Sequence, residues 1–332
     1  MAATIHDVAR LAGVNSSTVS RVMSGKATVT EETREKIHAA VRQLDYHPSS
    51  VARSLASGLS GAIGVVVDAQ DADAFSNVYF SRSLFAIEQV AQSRGYNVII
   101  ANSARKAGGA SSIEELMLER KVDGLILPPS TVKPQLLKKI GDFPYVVLGQ
   151  PDVASQGASW VDVNNEQGAA LAVEHLYERG YRQIAYAGGD GKTGFVKRRV
   201  IGYLGALRQG ETPMIFPTDG TAQGAQHAAL EAMAAPQRPD AFLCNDNLTA
   251  FGVLKALKSL GLGVSGQAGL VAFDNQPLAE YTDPPLTAVN VDTALLGEQT
   301  ARLLFQRIKR PLSNQQIMLG AALIERESSH RM

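Results

Sequence analysis

The sequence predicts an N-terminal all-α helix-turn-helix head followed by a doubly wound α/β body. Residues 4–44 hold three short amphipathic segments, each bounded by capping residues or glycine. From residue 61 onward, short apolar runs alternate with amphipathic stretches, the rhythm of parallel strands and covering helices. At 332 residues the chain has room for a small head plus one large or two medium domains.

In the head, Thr4 caps a first helix, and Asp7 stands at its third position, facing free backbone N–H groups. Ile5, Val8, Ala9 and Ala12 share one face, Gly13 breaks the helix, and Asn15 suits a cap for the second. Val19, Val22 and Met23 form the inner stripe of that second helix, which Gly25 ends. Ser16, Ser17, Ser20 and Arg21 are left outside or near its N-terminus. Thr30 caps a third helix with Glu31 and Glu32 in its first turn and Ile37, Ala40, Val41 and Leu44 inside. Two short helices joined by a tight glycine-containing turn, with a third in support, make a DNA-reading unit. Small hydroxyls at the start of the second helix reach base edges in the major groove, and Arg pairs with guanine at two points. A plain three-helix bundle is the other reading. Residues 1–60 are only mildly basic, with seven Lys and Arg against five Asp and Glu. Phosphate contacts must therefore come from a few placed groups, backbone N–H groups and two heads acting together.

In the body, strands are expected at 63–67, 98–101, 124–127, 145–148, 184–187, 241–244 and 270–273, where apolar runs are continuous. Helices are expected at 84–94, 112–120, 168–179, 196–208, 224–233 and 249–260. Hydrophobic residues make up 45% and the formal net charge is zero, as in an ordinary soluble domain. Cys244 is the one cysteine, which excludes an intramolecular disulfide framework and a cysteine metal cluster. No apolar signal stretch and no run near the roughly 20 apolar residues of a membrane span are present, so a cytosolic protein without membrane contact is expected.

Ligands of doubly wound sheets bind at the carboxyl ends of the strands. Asp68, Asn245-Asp246-Asn247 and Asp274-Asn275 follow three expected strands, and Arg198-Arg199 lie on a following helix. Two readings stand: these residues line a polar-ligand cleft, or they cap the next helices.

Gly189-Asp190-Gly191-Lys192-Thr193-Gly194 matches G-x-G-x-x-G between an expected strand and helix, the context of a dinucleotide fingerprint, with Asp219 placed to meet a ribose. An NAD-dependent oxidoreductase using this loop is thus a remote alternative. A phosphate loop fails, because Tyr186 stands where its first glycine belongs. No G-x-S-x-G elbow occurs and the six histidines lack metal-ligand spacing, so no enzyme, cofactor or metal is expected.

The run DVARLAGV-x-x-x-TVSRV, then TREKI, then Y-x-P-x-x-VARSL resembles the N-terminus of the LacI/GalR family of bacterial transcription regulators. VDGLILPPS, GYRQIAYAGG, the Arg199–Tyr203 R-x-x-GY, CNDNLTAFGVLKAL, VAFDN and DPPLTAV extend the resemblance over essentially the whole chain. It implies a head at 1–47, a hinge helix and linker at 48–60, and a periplasmic-binding-protein-like body at 61–332. That body would comprise two Rossmann-like subdomains, about 61–161 with 290–320 and about 162–289 with 321–332. It further implies DNA contacts by Thr4, Ser16, Ser17, Thr18, Ser20 and Arg21, and by Ser49, Ala52 and Leu55 of the hinge. Leu55 would wedge into the central minor-groove step of a palindromic operator, although an ordinary linker residue fits the same position.

For the body, the resemblance implies effector contacts by Arg199, Asn245 and Asp274, with Phe195 at a position aligned to the site, and Asp68 joins the effector-site candidates as a strand-end residue. Tyr79 and Phe80 in SNVYF correspond to an aromatic pair after the first strand, able to stack on a ring or to pack in the core. A guanidinium and a carboxylate bracket vicinal hydroxyls, while an amide both donates and accepts. Asp219 stands where several sugar-binding members carry an aromatic, Phe195 where some carry a small hydroxyl, and Val163–Asn165 departs from the usual pattern. The expectation is a homodimeric repressor acting in carbohydrate metabolism, bound to operator DNA and released by a sugar inducer. The alternative is a purine-like or phosphorylated corepressor.

Overall fold

The computed structural model describes residues 3–23, 29–47, 58–68, 77–104, 111–151, 157–189, 191, 194–310 and 313–331. The chain divides into two units, residues 1–61 and 62–332. Gly25 and residues 48–57, which include Ser49, Ala52 and Leu55, lie outside the described residues.

The head contains α1 (Ile5–Ala12), α2 (Ser16–Met23) and α3 (Glu31–Gln43). Thr4 and Asp7 close a reciprocal box: Thr4 N–H donates to Asp7 Oδ2 at 3.0 Å, and Asp7 N–H donates to Thr4 Oγ1 at 3.4 Å. Gly13 ends α1 at φ +68°, a left-handed conformation that glycine adopts without a Cβ penalty. Asn15 O then accepts the first N–H bonds of α2, from Thr18 and Val19. Thr30 caps α3 through Thr33 N–H. Val8, Ala9, Val19, Ile37, Ala40 and Tyr46 form one small core shared by the three helices.

In the body, β1 (Ala62–Val67), β2 (Asn97–Asn102), β3 (Leu125–Leu127), β4 (Tyr145–Leu148) and β5 (Trp160–Val163) join a later strand, β11 (Gln316–Leu319). Their order is β11-β5-β4-β3-β1-β2, and every neighbour pair runs parallel. Helices α4 (Val78–Gln92), α5 (Ser112–Leu118), α6 (Pro134–Ile140) and α11 (Thr293–Lys309) belong to this first subdomain. Ile87, Val90, Leu296 and Leu304 of α4 and α11 cover one sheet face, and Ile113, Leu116 and Ile140 cover the other.

The second sheet holds β6 (Ile184–Gly188), β7 (Met214–Pro217), β8 (Ala241–Cys244), β9 (Gly269–Phe273), β10 (Thr287–Asn290) and β12 (Ala322–Ile324). Their order is β12-β10-β9-β8-β6-β7, parallel except for β12 against β10. On one face lie α7 (Asn165–Glu178) and α8 (Gly194–Ala206). On the other lie α9 (Ala222–Ala234) and α10 (Asn247–Ser259). The chain passes between the sheets after β5, after β10 and after β11.

Glycines set the spacing of the paired helices, Gly202 and Gly297 among them. A Cβ on Gly202 of α8 would lie 2.1 Å from Glu166 O of α7, and one on Gly297 of α11 would lie 2.2 Å from Ser83 O of α4. Each helix pair approaches more closely than any side chain allows.

The expected strands all form, within a residue or two of their ends. Strand β7 is the one that the sequence places before Asp219, whereas β5, β10, β11 and β12 and the helices α6 and α11 lie outside the sequence-based expectations. Strands β11 and β12 sit at sheet edges and are too half-exposed to read as apolar runs. The buried β5 is interrupted by Asp162. Helix α4 begins at Val78 under an Asn77 cap, six residues before the expected start, so Tyr79 and Phe80 occupy its first turn.

Candidate functional site

On the head, Ser17, Ser20 and Arg21 of α2 are exposed, and Ser16 and Thr18 are half-exposed. The first turn of α2 carries no acidic residue, which leaves its N–H groups and positive dipole end compatible with a polyanion. Exposed Thr4 uses its hydroxyl in the α1 cap, donating to Asp7 Oδ2 at 2.6 Å.

In the body, Arg199 organises the carboxyl ends of the second sheet. It projects from α8 and is 3% exposed. Its Nε donates to Asn165 Oδ1 at 2.9 Å, its Nη1 to Asn245 O, and its Nη2 to Asp274 Oδ1 at 3.5 Å. The guanidinium also lies over the Phe273 ring, 3.9 Å from its centroid. Every nitrogen of this buried cation has an acceptor, the condition under which a buried charge is tolerated.

Asn245 follows β8. Its Oδ1 accepts from the Tyr186 hydroxyl at 2.8 Å, and its Nδ2 donates to Asp246 Oδ2 at 3.0 Å. Asp246 in turn caps α10 through Thr249 N–H at 2.7 Å. Asp274 ends β9 at φ +64°, a left-handed conformation that is strained for a non-glycine residue. The Nδ2 of Asn247 holds this turn by donating to Phe273 O at 2.9 Å and to Asp274 O. Burial raises the Asp274 carboxyl above the usual range, and Arg199 pulls it partly back. The helix-cap reading therefore holds for Asp246, while Asn245 and Asp274 join the arginine.

Asp162 of β5, in the first subdomain, is 4% exposed and lies within electrostatic reach of Arg198 and Arg199. Its oxygens accept from Gln150 N–H at 2.9 Å and from Val163 N–H at 2.7 Å. Burial raises its pKa, while those N–H groups, Arg198 and Arg199 lower it. The phenol of half-buried Tyr79 is pushed well above its usual value by burial first, then by Asp162 and Asp274, with Arg199 opposing. Tyr79 thus stands in the field of both subdomains. Asp162 and Asn165 were not among the sequence-based candidates, although the departure at Val163–Asn165 marked their neighbourhood.

The other candidates divide. Phe195 is 45% exposed, with Arg199 Cζ 5.1 Å from its ring centroid. Phe80 packs against the core around Ile63 and Leu296, as does part of Tyr79. Asp68 lines a cavity of about 530 Å³ with Ser130, Lys133 and Lys139, and that lining includes none of Arg199, Asn245 and Asp274. In the glycine loop, Asp190, Lys192 and Thr193 lie outside the described residues. Asp219, expected near a ribose in the dinucleotide reading, is exposed and accepts from Thr221 N–H at 2.9 Å and Thr221 Oγ1 at 2.7 Å, beside the N-terminus of α9. Its local turn accounts for its position. Among the described residues no group of three or more His, Cys, Asp or Glu is placed to hold a metal, and no helix is long and apolar enough to cross a membrane.

Two family models match the chain: "Bacterial regulatory proteins, lacI family" over residues 4–49 and "Periplasmic binding protein-like domain" over residues 173–329. The HTH-type transcriptional repressor PurR of Vibrio atlanticus (strain LGP32) is 32% identical over 314 residues, covering 92% of each chain. PurR of Vibrio cholerae serotype O1 (strain M66-2) is 30% identical over 334 residues, covering 98% of each. Among solved structures, a lac repressor dimer bound to operator and the anti-inducer ONPF superposes with a TM-score of 0.83 at 25% identity, covering 99% of this chain and 100% of that one. A complex of the transcriptional regulator CelR with cellobiose superposes at 0.71 with 28% identity, covering 98% and 99%.

Proposed function

This chain belongs to the lacI family of bacterial regulatory proteins, and on that premise we propose that it is a homodimeric repressor whose effector is a hydroxyl-rich small molecule of the sugar class. It is a DNA-binding transcriptional repressor with an effector-binding domain, not an enzyme.

The observation that carries the effector class is the grouping of Arg199, Asp274 and Asn245, with the Asp162 carboxyl within electrostatic reach of the arginine. Buried carboxylates accept further hydrogen bonds from neutral donors, and a polyol supplies hydroxyl donors in adjacent pairs. Tyr79 and Phe195 offer apolar faces for the C–H side of a ring. The likeness to a regulator bound to cellobiose supports the same reading. A purine effector is the second reading, favoured by relatives whose name is that of the PurR repressor.

In the proposed mechanism, Ser16, Ser17, Thr18, Ser20 and Arg21 of two heads read successive major grooves, and Leu55 wedges into the centre of the operator. Effector seated between the subdomains shifts the body toward an arrangement that spreads the hinges. The coupling is reciprocal, so operator weakens effector by the factor by which effector weakens operator.

The test is operator binding by fluorescence anisotropy, on DNA from upstream of the protein's own gene, with and without sugars, sugar derivatives and purines. Salt-sensitive binding relieved by a sugar-class compound is the expected result. Binding that appears only with a purine establishes the second reading, and sequence-independent binding under all conditions overturns both.

A further inference from the structure

Arg198 and Arg199 are adjacent on α8, about 100° apart around the helix axis, and their guanidinium groups have opposite circumstances. All three nitrogens of Arg199 are engaged within the second subdomain. Arg198 instead reaches to the first subdomain, where its Nη2 donates to Gln150 O at 3.4 Å and Pro151 O at 3.3 Å, just beyond β4. Hydrogen bonds from a guanidinium to a good acceptor run at about 2.7–2.9 Å, so these two contacts are long and share one nitrogen. Among the described residues, the Nε of Arg198 is buried and has no hydrogen-bond partner.

Nε and Nη2 form one edge of the guanidinium plane, the edge that presents two parallel N–H donors to a carboxylate or phosphate. In Arg198 one donor of that edge is unused and the other is weakly used. The carboxylate of Asp162 is close enough for the two charges to influence each other, yet its oxygens accept backbone N–H groups of Gln150 and Val163. The side chain is half-buried, and a buried N–H left open on such a cation calls for an acceptor brought by the ligand.

We propose that Arg198 is the anion-recognising arm of the cleft and that the effector is a polyhydroxylated molecule bearing one oxyanion, a phosphate ester or a carboxylate. This rests on the sugar-class reading above: Arg199, Asn245 and Asp274 take the hydroxyls, and the Nε–Nη2 edge of Arg198 takes the oxyanion. Seating the oxyanion draws the guanidinium off the carbonyls of Gln150 and Pro151. Recognition is thereby tied to the loss of a contact that joins the two subdomains, which gives the ligand a differential interaction with the two states.

The experiment compares matched compounds on the full-length protein bound to its operator, at constant ionic strength. The pairs are glucose with glucose 6-phosphate, ribose with ribose 5-phosphate, and glucose with glucuronate, so phosphate and carboxylate sources are separated. In the wild type, the anionic member of at least one pair should change operator affinity at a concentration at least tenfold lower than its neutral partner. In Arg198→Met the ratio should collapse to within about threefold, and Arg198→Lys, which keeps the charge without the planar edge, should fall between. Melting curves for both variants establish that they are folded. Equal potency within every pair, or an advantage that survives Arg198→Met, overturns the proposal. Action by neutral sugars alone overturns it while leaving the sugar-class reading in place. A protein that binds operator but responds to none of these compounds overturns both.

Discussion

Asn165 Oδ1 accepts from Arg199 Nε at 2.9 Å, which joins the first turn of α7 to α8 through two buried side chains. Asn165 Nδ2 donates to Val163 O at 3.2 Å, at the end of β5 where the chain leaves the first sheet. The arginine that reaches Asp274 is therefore positioned from the crossing itself.

Arg199→Ala should do more than remove a ligand contact. It strips Asn165, Asn245 and Asp274 of their shared donor and leaves a raised-pKa carboxyl without its cation. Breaking a buried charged pair typically costs about 3–5 kcal/mol. Urea unfolding should register a loss of that size, and operator release by effector should disappear. Asp274→Asn should abolish the release at a smaller cost in stability, because the amide keeps an acceptor for Arg199.

Gly202→Ala should destabilise the body and weaken the effector response together. The added Cβ meets the Glu166 carbonyl of α7, so α8 must back away and carry Arg198 and Arg199 with it. Overpacking of this kind costs about 1–3 kcal/mol. An unchanged melting temperature with an unchanged effector midpoint would contradict the close approach of α7 and α8.

On the head, Ser17→Ala and Ser20→Ala remove exposed hydroxyls from α2 without touching its buried Val19. Where a hydroxyl reads a base, specific affinity should fall by about 1–3 kcal/mol while binding to unrelated DNA stays constant. Anisotropy on operator and scrambled duplexes checks both. Thr4→Ala should instead lower helix stability by about 1 kcal/mol through loss of the α1 cap.

Stability should decline as pH falls below about 6.5, with His175 as one cause. This ring is 6% exposed, and its Nε2 pairs with Ser329 Oγ at 2.7 Å, which in turn meets Thr287 Oγ1 at 2.7 Å. Burial chiefly holds its pKa below the ordinary 6.5; Arg179 and His330 add to this, and Glu325 and Glu178 oppose it. Above 6.5 the ring is neutral whether the chain is folded or not, and it contributes no pH dependence. As pH falls through 6.5 the unfolded chain binds a proton that the folded chain refuses, and stability drops until the folded pKa is reached. Unfolding free energies of wild type and His175→Gln, compared at about pH 7.5 and 5, should diverge in that window.

Local chemistry made much of this legible. The Thr4–Asp7 box, the Gly13 stop and the Thr30 cap are decided by residues within one turn of each other, and all three were readable in order. Continuous apolar runs announced β1, β6, β8 and β9 because both faces of those strands are covered. Arg199, Asn245 and Asp274 were legible as polar residues next to such strands or on the following helix. Asp162 was not, because a carboxylate inside a buried strand resembles a loop residue until its neighbours are known.

The sequence by itself determined the helix caps of the head, the strands with continuous apolar runs and which residue types stand at their ends. Capping, periodicity and hydrophobicity act over a few bonds, so they are written in neighbouring letters. Only the tertiary structure decided that Arg199 would meet partners 34, 46 and 75 residues away. It also decided that β11 would join the first sheet while β12, two residues later, joined the second. Those pairings depend on three crossings between sheets and on the burial they impose, and no local pattern encodes the distance that folding closes.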